Sequence, residues 1–470
     1  MNKSVLKQVA QRGIELLDRE DPALSKLLAQ EYHRQNNVLA MVAASSVAHL
    51  SVLACEGMAT SNVTTEGYPG ARFHAGCKFA DEIELLAVER AKLAFRAQYA
   101  NVQPHSGTSA NLAILFSLLS PGETILGMEL KSGGHLTHGA SASASGRYFK
   151  AIGYGLTPDG FIDYEQVGEL ARRHKPKIII CGASSYPRTI DFKRFREIAD
   201  DVGAYLLADI SHIAGLVVSG HHPSPIDHAH FTTTSTYKQL YGPRGGIILM
   251  GKDHNNLAPG AKRTLSGVIQ NAIFPFFQGT PNLSAIAAKA RALAIVITPE
   301  FKMLADRIVA NARDLAGRFT QKGYRVISGG TDNHIVLIDT AANGITGVIA
   351  ERALEASDII VNRNVIRGDE KSVLVTSGIR LGTNSLAVRG MAKSEMSQCA
   401  DLVDRVISSI EPVGDRDYTL RGAVKESVKF HVAGLCKSFP LPQYPSIGQD
   451  EDISACLVKA MPQVTLENKL

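Results

Sequence analysis

The stretch HFTTTSTYKQLYGPRGGIILM, His230–Met250, contains two runs typical of buried β-strands with a single lysine between them. The β-branched run HFTTTST and the apolar run GGIILM each have the length and composition of a strand. The connection through GPRGG is too short for a helical crossover, so we predict that these two strands run antiparallel. Lys238 then lies at a strand end, on the rim where open α/β sheets bind ligands.

Strands and helices alternate in the chain that precedes this stretch. The runs ETILGM, KPKIIICG and AYLLAD predict short buried strands, and ADEIELLAVERAKLAF, SANLAILFSLLS and DFKRFREIADDVG predict helices. Such alternation is typical of an α/β layer on a mostly parallel sheet. We therefore predict an α/β fold with a large, mostly parallel-sheet domain over residues 46–298.

The two ends of the chain have a different character. Residues 1–45 have apolar positions at three- and four-residue spacing and predict an N-terminal helical arm. After residue 299, a long amphipathic helix (EFKMLADRIVANARDLAGRFTQKG), strands (YRVISGG, NHIVLIDT, GIRLGT) and a helix (AVRGMAKSEMSQCADLVDRVISSI) predict a smaller α+β domain, 299–437. Residues 438–470 begin Pro-rich and then turn acidic, which predicts a C-terminal tail.

Composition narrows the class of protein. The chain has 470 residues, 45% of them hydrophobic and 20% charged, values that are ordinary for a soluble globular protein. The formal net charge is only +5 and the basic residues form no runs, which gives nucleic-acid binding no support. Six scattered cysteines without a C-x-x-C pair, no secretory signal and no bilayer-length apolar run predict a soluble cytoplasmic protein with reduced thiols.

A possible anion site lies in NVQPHSGTSAN, where Ser106, Gly107 and Thr108 stand at the start of a predicted helix. The backbone N–H groups and the dipole of a helix N-terminus bind phosphate well. Taken alone, the motif is more often a simple N-cap.

Two further segments carry polar residues close to predicted strand ends. In AYLLADISH, Asp209 ends a strand and His212 follows it, so the carboxylate could pair with a protonated ring nitrogen. In GGHLTHG, glycines allow close backbone approach to a ligand and His135 could stack its ring on another. The plainer interpretations are a helix cap or surface acid for Asp209 and a loop or core position for His135.

Together these features describe pyridoxal phosphate bound to Lys238 as a Schiff base. A desolvated lysine amine is reactive toward the coenzyme aldehyde. Asp209 would keep the pyridine nitrogen protonated, so that the ring accepts electrons from a carbanion at the substrate α-carbon. The conjunction, more than any single residue, supports this interpretation.

The chain resembles the serine (glycine) hydroxymethyltransferase family in seven stretches. These are EGYPGARFHAGCKF, YANVQPHSGTSAN, LKSGGHLTHG, LLADISHIAGLV, TYKQLYGPRGG, SGGTDNHIVLID and VTSGIRLGT, which together span roughly Asn62 to Gly390. The resemblance implies the fold-type I architecture of pyridoxal phosphate enzymes. It also implies a homodimer or a dimer of dimers whose sites are completed across the interface, with no membrane or nucleic-acid partner.

For the coenzyme, the resemblance implies that Lys238 forms the Schiff base, Asp209 pairs with the pyridine nitrogen and His135 stacks on the ring. Ser184 and His212 would lie near the phenolic oxygen. Ser106, Gly107 and Thr108 would hold the phosphate, aided by Gly279 from the partner chain. Thr280 is the remaining implied coenzyme residue.

For the substrates, the resemblance implies that Arg380, in VTSGIR, grips the carboxylate of the amino acid. A guanidinium matches a carboxylate with two parallel hydrogen bonds. Glu66, in EGYPG, would act as acid or base at the hydroxymethyl group and the folate amine. Tetrahydrofolate would be held by Phe73, Leu130, Gly134, Leu136 and Asn364.

The chain departs from the usual family pattern around one pocket. Thr64 stands where the family has a tyrosine two residues before the glutamate. In R-Y-Y-G-G-C, His74 replaces a pocket tyrosine, which makes it a candidate substrate residue with Thr64, and Phe73 replaces a folate-side tyrosine. The usual T-H-K is Thr236-Tyr237-Lys238, which makes Tyr237 a candidate catalytic residue. The usual F-P-G-G-Q-G-G-P is FPFFQGTP, and the S-E-N motif appears as Ala44-Ser45-Ser46, which makes Ser45 a candidate substrate residue.

These changes suggest a different amino-acid substrate. Loss of the tyrosine ring at Thr64 leaves room for a substituent on the α-carbon. The hypothesis is a 2-methylserine (α-methylserine) hydroxymethyltransferase that interconverts this amino acid with alanine, with serine and glycine as the other possible pair. A methylene-sized group changes binding by only about 1–3 kcal/mol, so the space is necessary but does not establish selectivity.

Other functions remain open at this point. A folate-independent aldolase or transaldolase would keep the coenzyme, with Phe73, Phe276 and Phe277 reshaping the folate slot. A catalytically silent relative and an aminotransferase are further alternatives, which the intact Lys238 and the GGHLTHG and EGYPG segments disfavour. The histidines of HHPSPIDHAH could suggest a metal cluster, but prolines separate them, so we assign no metal site: His221, His222, His228 and His230.

Overall fold

The structure, a computed structural model, describes residues 4–258 and 262–445. Most of the predicted tail, residues 446–470, lies outside the described residues. The helices are α1 Ser4–Glu20, α2 Pro22–Asn37, α3 Leu50–Glu56, α4 Lys78–Phe95, α5 Gly107–Leu118, α6 Ala144–Tyr148, α7 Tyr164–His174, α8 Phe192–Val202, α9 Ala214–Ser219, α10 Leu265–Asn271, α11 Leu283–Val296, α12 Pro299–Gln321, α13 Gly347–Glu355, α14 Asn384–Val388, α15 Lys393–Ile407 and α16 Gly422–Ser438. The strands are β1 Leu39–Ala40, β2 Gly67–Tyr68, β3 Ala71–Arg72, β4 Tyr99–Asn101, β5 Thr124–Met128, β6 Lys150–Tyr154, β7 Ile178–Gly182, β8 Tyr205–Asp209, β9 Phe231–Ser235, β10 Gly246–Met250, β11 Arg325–Val326, β12 Ile335–Asp339, β13 Ile359–Ile360, β14 Asn362–Asn364, β15 Gly378–Gly382, β16 Ile410–Val413 and β17 Asp417–Leu420.

The larger sheet has seven strands in the order β4-β10-β9-β8-β7-β5-β6. The pairs from β9 through β8, β7 and β5 to β6 are all parallel. Strand β10 is antiparallel to both of its neighbours, β9 and β4. The short GPRGG connection therefore makes the antiparallel pair predicted from the sequence, and the mostly parallel sheet is confirmed.

Successive residues of the central strands face opposite sides of this sheet, as the two-residue period of a strand requires. Ile179 and Leu206 pack in the apolar cluster that contains Phe195 of α8. Ile180 and Leu207 pack in a second cluster, which lies with α5 and α10. Because both faces are covered by helices, β7 and the middle of β8 are apolar, and the carboxylate of Asp209 stands at the end of β8.

A second sheet, of order β11-β12-β15-β14, is antiparallel throughout. It packs in an apolar cluster with α12, α13, α15 and α16. The predicted helix from Ala387 is shorter in the structure, because α15 begins only at Lys393. Ala392 has extended backbone there (φ −132°, ψ −159°), and its N–H donates to a Glu395 carboxylate oxygen at 2.8 Å, which starts a new helix.

The N-terminal segment is helical only to Asn37, whereas the sequence predicted helix to residue 45. The chain continues as β1, which pairs in parallel with β13 of the C-terminal part. Leu39 and Met41 are fully buried in the apolar cluster of the smaller sheet. This long-range pairing overrides the helical pattern because it buries both side chains completely.

The first residues after α16 dock on the N-terminal part of the chain. The rings of Tyr444 and Tyr32 stack with centroids 6.0 Å apart, and the Tyr444 hydroxyl donates to the Ala48 carbonyl at 2.6 Å.

The described cysteines, Cys55, Cys77, Cys181, Cys399 and Cys436, are free thiols. Within 4–258 and 262–445, no helix has the length and apolarity needed to cross a membrane.

Candidate active site

The polar ends of two neighbouring parallel strands form the base of the candidate site. Asp209 is the last residue of β8 and pairs in register with Thr233 of β9. Lys238 follows the end of β9, in the turn that leads to β10. The parallel register therefore brings the predicted carboxylate and the predicted lysine to the same edge of the sheet.

The N-terminus of α5 lies against this edge. Ser106 caps the helix by accepting the Ser109 N–H at 3.0 Å. A Cβ added at Gly107 would lie 3.4 Å from both Ser211 Oγ and Ser235 Cβ, so the first turn of α5 packs closely on the ends of β8 and β9. The helix start predicted from Ser-Gly-Thr is confirmed. A Cβ added at Gly246, just after the Lys238 turn, would lie 3.0 Å from the Gly107 nitrogen, and the first N–H groups of a helix have no acceptor within the helix itself.

Asp209 is held as a charged carboxylate. It accepts from Asn111 Nδ2 at 2.8 Å and from the Ser211 N–H at 3.0 Å, and His138 Nε2 lies 3.2 Å away. Burial alone would raise the pKa of Asp209, but the hydrogen bond and charge of His138, the charge of His135 and the Ser211 hydrogen bond outweigh it and hold that pKa below its ordinary value. A buried anion with this support can pair with a protonated ring nitrogen.

His135 lies beside this carboxylate. Its Nδ1 is 2.8 Å from Thr137 Oγ1, which in turn accepts from Asn111 Nδ2 at 2.9 Å. Burial lowers the pKa of His135 to about 4, against the opposing charge of Asp209. At neutral pH its ring is therefore uncharged, as suits a ring that stacks on an aromatic coenzyme.

His135, His138 and Asp209 have ligand atoms within 4.8 Å of one another, so the described residues contain one group that could hold a metal ion. Both Asp209 oxygens already accept hydrogen bonds. We therefore interpret His135 and His138 as residues that stabilise the Asp209 carboxylate.

Lys238 is buried, with 7% of its surface exposed. Burial lowers the pKa of its amine to about 8; the charge of Asp209 opposes this, while Arg380 and Arg244 lower it further. A substantial fraction of the amine is therefore neutral near physiological pH, which is the form that attacks an aldehyde.

Arg380 lies in the central part of β15 and is also buried. Its guanidinium donates to Asn362 Oδ1 at 3.0 Å and to the Ser184 carbonyl. Burial lowers the pKa of Arg380 to about 10, so it remains a cation at neutral pH. No carboxylate within the described ranges forms an ion pair with it, which leaves the charge available to an anionic ligand.

His212 faces the same space. Its ring stacks on His334 with centroids 5.8 Å apart, and its Nδ1 is buried without a hydrogen-bond partner in the described structure. Burial, followed by the charges of Lys238 and Arg380, lowers the pKa of His212 well below its ordinary value. The neutral ring can therefore hydrogen-bond to a ligand oxygen.

These observations test whether the residues suit pyridoxal phosphate. Ser235 Oγ and His212 Nδ1 are buried polar atoms that lack partners within the described residues, and both belong to this edge of the sheet. The start of α5, with Ser106, Gly107 and Thr108, provides an anion site (the anion cradle). Lys238 provides an amine, and Asp209 provides a buried carboxylate. The donor set fits a phosphate, an aldehyde and a pyridine nitrogen, so the residues present fit the coenzyme.

A cleft of about 240 Å³ opens next to His135 and Ser184. The four residues predicted there for folate all line it: Leu130, Gly134, Leu136 and Asn364. The Ser184 N–H donates to the Gly133 carbonyl at 2.7 Å. This bond joins the cleft to the coenzyme cluster, the group of predicted coenzyme and carboxylate-binding residues around Lys238, Asp209 and Arg380. Phe73, the fifth predicted folate residue, does not line it.

A second group of predicted residues forms a separate surface cluster. His74 Nε2 lies 3.2 Å from Glu66 Oε2, with 49% and 37% of the two side chains exposed. A Cβ at Gly279 would lie 3.6 Å from Glu66 Oε1, and the Phe73 ring packs edge-on against Phe274 with centroids 5.5 Å apart. In the described part of the chain, neither Glu66 nor His74 is hydrogen-bonded to the Lys238 cluster.

The other predicted residues lie between or beside these clusters. Thr64 is exposed, and its carbonyl accepts from Cys77 Sγ at 3.5 Å. The Tyr237 ring lies 3.8 Å from the Arg244 guanidinium carbon, and its carbonyl accepts from Ser46 Oγ at 2.5 Å. Two candidates remain outside the coenzyme cluster: Ser45 donates its N–H to Val42, and Thr280 lines a cavity beside His105 and Lys289.

The histidine run after α9 does not assemble into a cluster. His221 Nε2 lies 2.6 Å from Asp306 Oδ1, and His222 Nε2 accepts the Ile190 N–H at 3.1 Å. His230 Nδ1 accepts the Leu206 N–H at 2.9 Å, and the His228 carbonyl accepts from Arg196. Each of these four residues therefore makes its own separate hydrogen bond or ion pair.

Asn111 and His138 were missed by sequence reasoning, although both bond directly to Asp209. His138 stands in the GGHLTHG segment, where only His135 was singled out. The presence of a second histidine in this short segment bounded by glycines could have indicated His138. Asn111 lies inside a helix, and no pattern in the sequence distinguishes it.

A mostly parallel α/β sheet with an amine, a carboxylate and an anion cradle at one edge defines a fold-type I pyridoxal phosphate enzyme. The family model described as serine hydroxymethyltransferase matches residues 17–403. The chain belongs to the serine hydroxymethyltransferase family, and it is a pyridoxal-phosphate-dependent transferase of one-carbon groups. Members of the family bind an amino acid and folate and assemble as oligomers.

Proposed function

We propose that this protein transfers the hydroxymethyl group of 2-methylserine to tetrahydrofolate, releasing alanine. The Cα–Cβ bond of the amino acid breaks, Cα gains a proton, and the one-carbon unit joins two folate amines with loss of water. The observation that carries the proposal is a buried cluster of Lys238, Asp209 and Arg380 beside an open cleft of about 240 Å³.

Bound pyridoxal phosphate supplies an electron sink for the electrons of the severed bond. Lys238 would hold the coenzyme through its amine until the amine of the substrate takes its place. Asp209 would keep a proton on the ring nitrogen, and His135 would stack on the ring. Ser106, Gly107 and Thr108 hold the phosphate at the positive end of α5.

Arg380 orients the amino acid by binding its carboxylate. The guanidinium is already positioned by Asn362 and by the Ser184 carbonyl, so little entropy is lost when the substrate binds. His212 would hydrogen-bond to the phenolic oxygen, since its Nδ1 has no partner within the described residues, and Ser184 would lie near the same oxygen.

Folate occupies the cleft formed by Leu130, Gly134, Leu136 and Asn364. This open cleft favours a folate-dependent transferase over an aldolase that works without folate. Phe276, one of the aromatic residues expected to reshape the folate slot in an aldolase, is 60% exposed and does not line the cleft.

A second copy of the chain completes the site. The Glu66–His74 pair is exposed and sits beside Gly279, so this surface cluster can serve the Lys238 cluster of a partner subunit, with Thr280 and Phe73. Glu66 then moves the proton at the hydroxymethyl oxygen and the folate amine. His74 holds the Glu66 carboxylate through its ring nitrogen at 3.2 Å.

Activity assays test the proposal directly. Purified protein with pyridoxal phosphate should turn over 2-methylserine faster than serine, and only when tetrahydrofolate is present. Alanine and glycine are measured by chromatography, and methylene-tetrahydrofolate by a coupled assay. Faster turnover of serine would exclude the substrate assignment, and equal rates without tetrahydrofolate would favour the aldolase.

Thr64 supplies the test of the pocket argument. The change Thr64→Tyr restores the ring that the family usually has and should lower kcat/KM for 2-methylserine about 10–100-fold more than for serine, because a methyl group is worth about 1–3 kcal/mol in a fitted pocket. The matched control is Thr64→Val, which keeps the volume and loses only the hydroxyl. Equal losses for both substrates would contradict the assignment.

A further inference from the structure

A buried lysine lies behind the anion cradle and takes no direct part in the proposed chemistry. Lys289 stands in the middle of α11 with only 2% of its surface exposed. Its Nζ donates to the carbonyl oxygens of Val102 at 2.6 Å, Pro104 at 3.0 Å and Gly246 at 3.0 Å. An ammonium has three N–H donors, and each finds one acceptor here.

The three carbonyls belong to the two segments that shape the cradle. Val102 and Pro104 lie between β4 and the Ser106 cap of α5, and Gly246 begins β10 immediately after the turn that carries Lys238. The Gly246 N–H also donates to the Pro104 carbonyl at 2.9 Å. One ammonium therefore links the segment that leads into α5, which carries Val102 and Pro104, to the turn that carries Lys238.

The neighbouring chain is built around this side chain. A Cβ added at Gly245 would lie 2.3 Å from Lys289 Cε and 2.9 Å from Nζ, so only glycine leaves space for the lysine to pass. Pocket space of about 240 Å³ lies beside it, lined by His105, Arg244 and Thr280 among others.

The charges around Lys289 leave it without a direct counter-ion. Within the described ranges, no carboxylate forms an ion pair with it; Glu84 acts on it from farther away. Burial lowers the pKa of Lys289 to about 7, which the charge of Glu84 opposes, so the amine is partly protonated at neutral pH. The protonated form is the one that binds all three carbonyls, because a neutral amine has only two N–H groups. His105 and Arg244 line the same cavity. An ammonium coordinated by carbonyl oxygens alone resembles a potassium ion in an oxygen cage.

We propose that Lys289 is a built-in cation that positions the phosphate cradle of the coenzyme. It is a positioning residue, because it acts through Val102, Pro104 and Gly246. The inference rests on the proposed function of Ser106, Gly107 and Thr108. Without the ammonium, three carbonyls lose their donor and the start of α5 loses its link to the turn of Lys238.

The change Lys289→Ala should raise the dissociation constant for pyridoxal phosphate about 10–100-fold, the range seen when the supporting residues of a bound group are removed. The constant is measured by absorbance and fluorescence titration of apoenzyme, well below its melting temperature. The matched variant is Lys289→Met, which fills the space without a charge. Both should bind the coenzyme weakly, but millimolar ammonium, methylammonium or potassium should restore binding only in Lys289→Ala.

Three results would overturn the inference. Wild-type affinity in either variant would make Lys289 a core residue alone, even if the melting temperature falls. Failure of every cation to restore binding in a folded Lys289→Ala protein would contradict the cation role. For the wild type, affinity should be equal in sodium and potassium buffers, and a potassium requirement would show that the lysine does not fill the oxygen cage.

The same titrations separate this inference from the proposed function. If the wild-type protein does not bind pyridoxal phosphate, the proposed function fails whatever the variants do. If the wild type binds and the Lys289 variants bind equally well, only the role of Lys289 fails.

Discussion

Replacing Lys238 with alanine should abolish covalent attachment of the coenzyme and lower the transferase rate by at least about 10²–10⁴-fold, the loss expected for a single proton-transfer group. The reason is that Lys238 is a buried amine whose pKa is lowered to about 8 by burial, which favours the neutral form that attacks an aldehyde. In the wild type, borohydride should fix the coenzyme to the protein and bleach its visible absorption. In Lys238→Ala, the coenzyme should be removed by gel filtration after the same treatment.

The pKa of Lys238 gives this prediction a second measurement. Only the neutral amine attacks an aldehyde, so capture of pyridoxal phosphate by apoenzyme should speed up as pH rises from 7 and level off above about 8. The matched control is Lys252→Ala. Lys252 is exposed and follows the C-terminal end of β10, opposite the end that the Lys238 turn enters, so this change should leave both results unchanged. Coenzyme fixed by borohydride in Lys238→Ala would assign the amine to another residue.

Replacing Arg380 with alanine should raise KM for the amino acid about 10²–10³-fold, because removing one member of a buried charge pair costs about 2–5 kcal/mol. Arg380 is buried and has no ion-pair partner in the described ranges, as expected of a residue that binds the carboxylate of a substrate. KM and kcat are measured separately for 2-methylserine and for serine. The visible absorption of bound coenzyme should be retained, since Arg380 does not hold the phosphate.

The change Arg380→Lys is the matched variant for this prediction. Lysine keeps the charge but not the planar fork, so it should recover only part of the lost affinity. Because the guanidinium also donates to Asn362 and to the Ser184 carbonyl, the melting temperature of each variant must be recorded. An unchanged KM in a folded Arg380→Ala protein would remove this residue from the substrate site.

The parts of the site that the sequence predicted are those at strand ends. Asp209 and Lys238 could be placed because parallel neighbours end at one edge of a sheet, and Ser106 because its residue type caps helices. Those inferences need only local patterns and one topological rule. The antiparallel β9–β10 pair followed from the length of its connection in the same way.

The parts that could not be predicted depend on contacts between distant segments. His138 and Asn111 meet at Asp209 only because α5 and the GGHLTHG loop pack on the same strand end. Lys289 is a single lysine in an apolar helix, a pattern that usually means an exposed side chain. Two-residue strands such as β1 carry no periodicity, so their pairing is invisible before the chain folds.

The pairing of β1 with β13 has a consequence for synthesis on the ribosome. Leu39 emerges early but pairs with Ile359, so the N-terminal segment must wait on the order of half a minute for its partner at synthesis rates of about 5–20 residues per second. During that interval Leu39 and Met41 have no apolar cluster to enter, and the nascent chain exposes them to chaperones. The apolar cluster of the smaller sheet, for its part, includes Leu39 and Met41 from a segment made long before it, so an isolated fragment 299–437 would lack both of these core side chains.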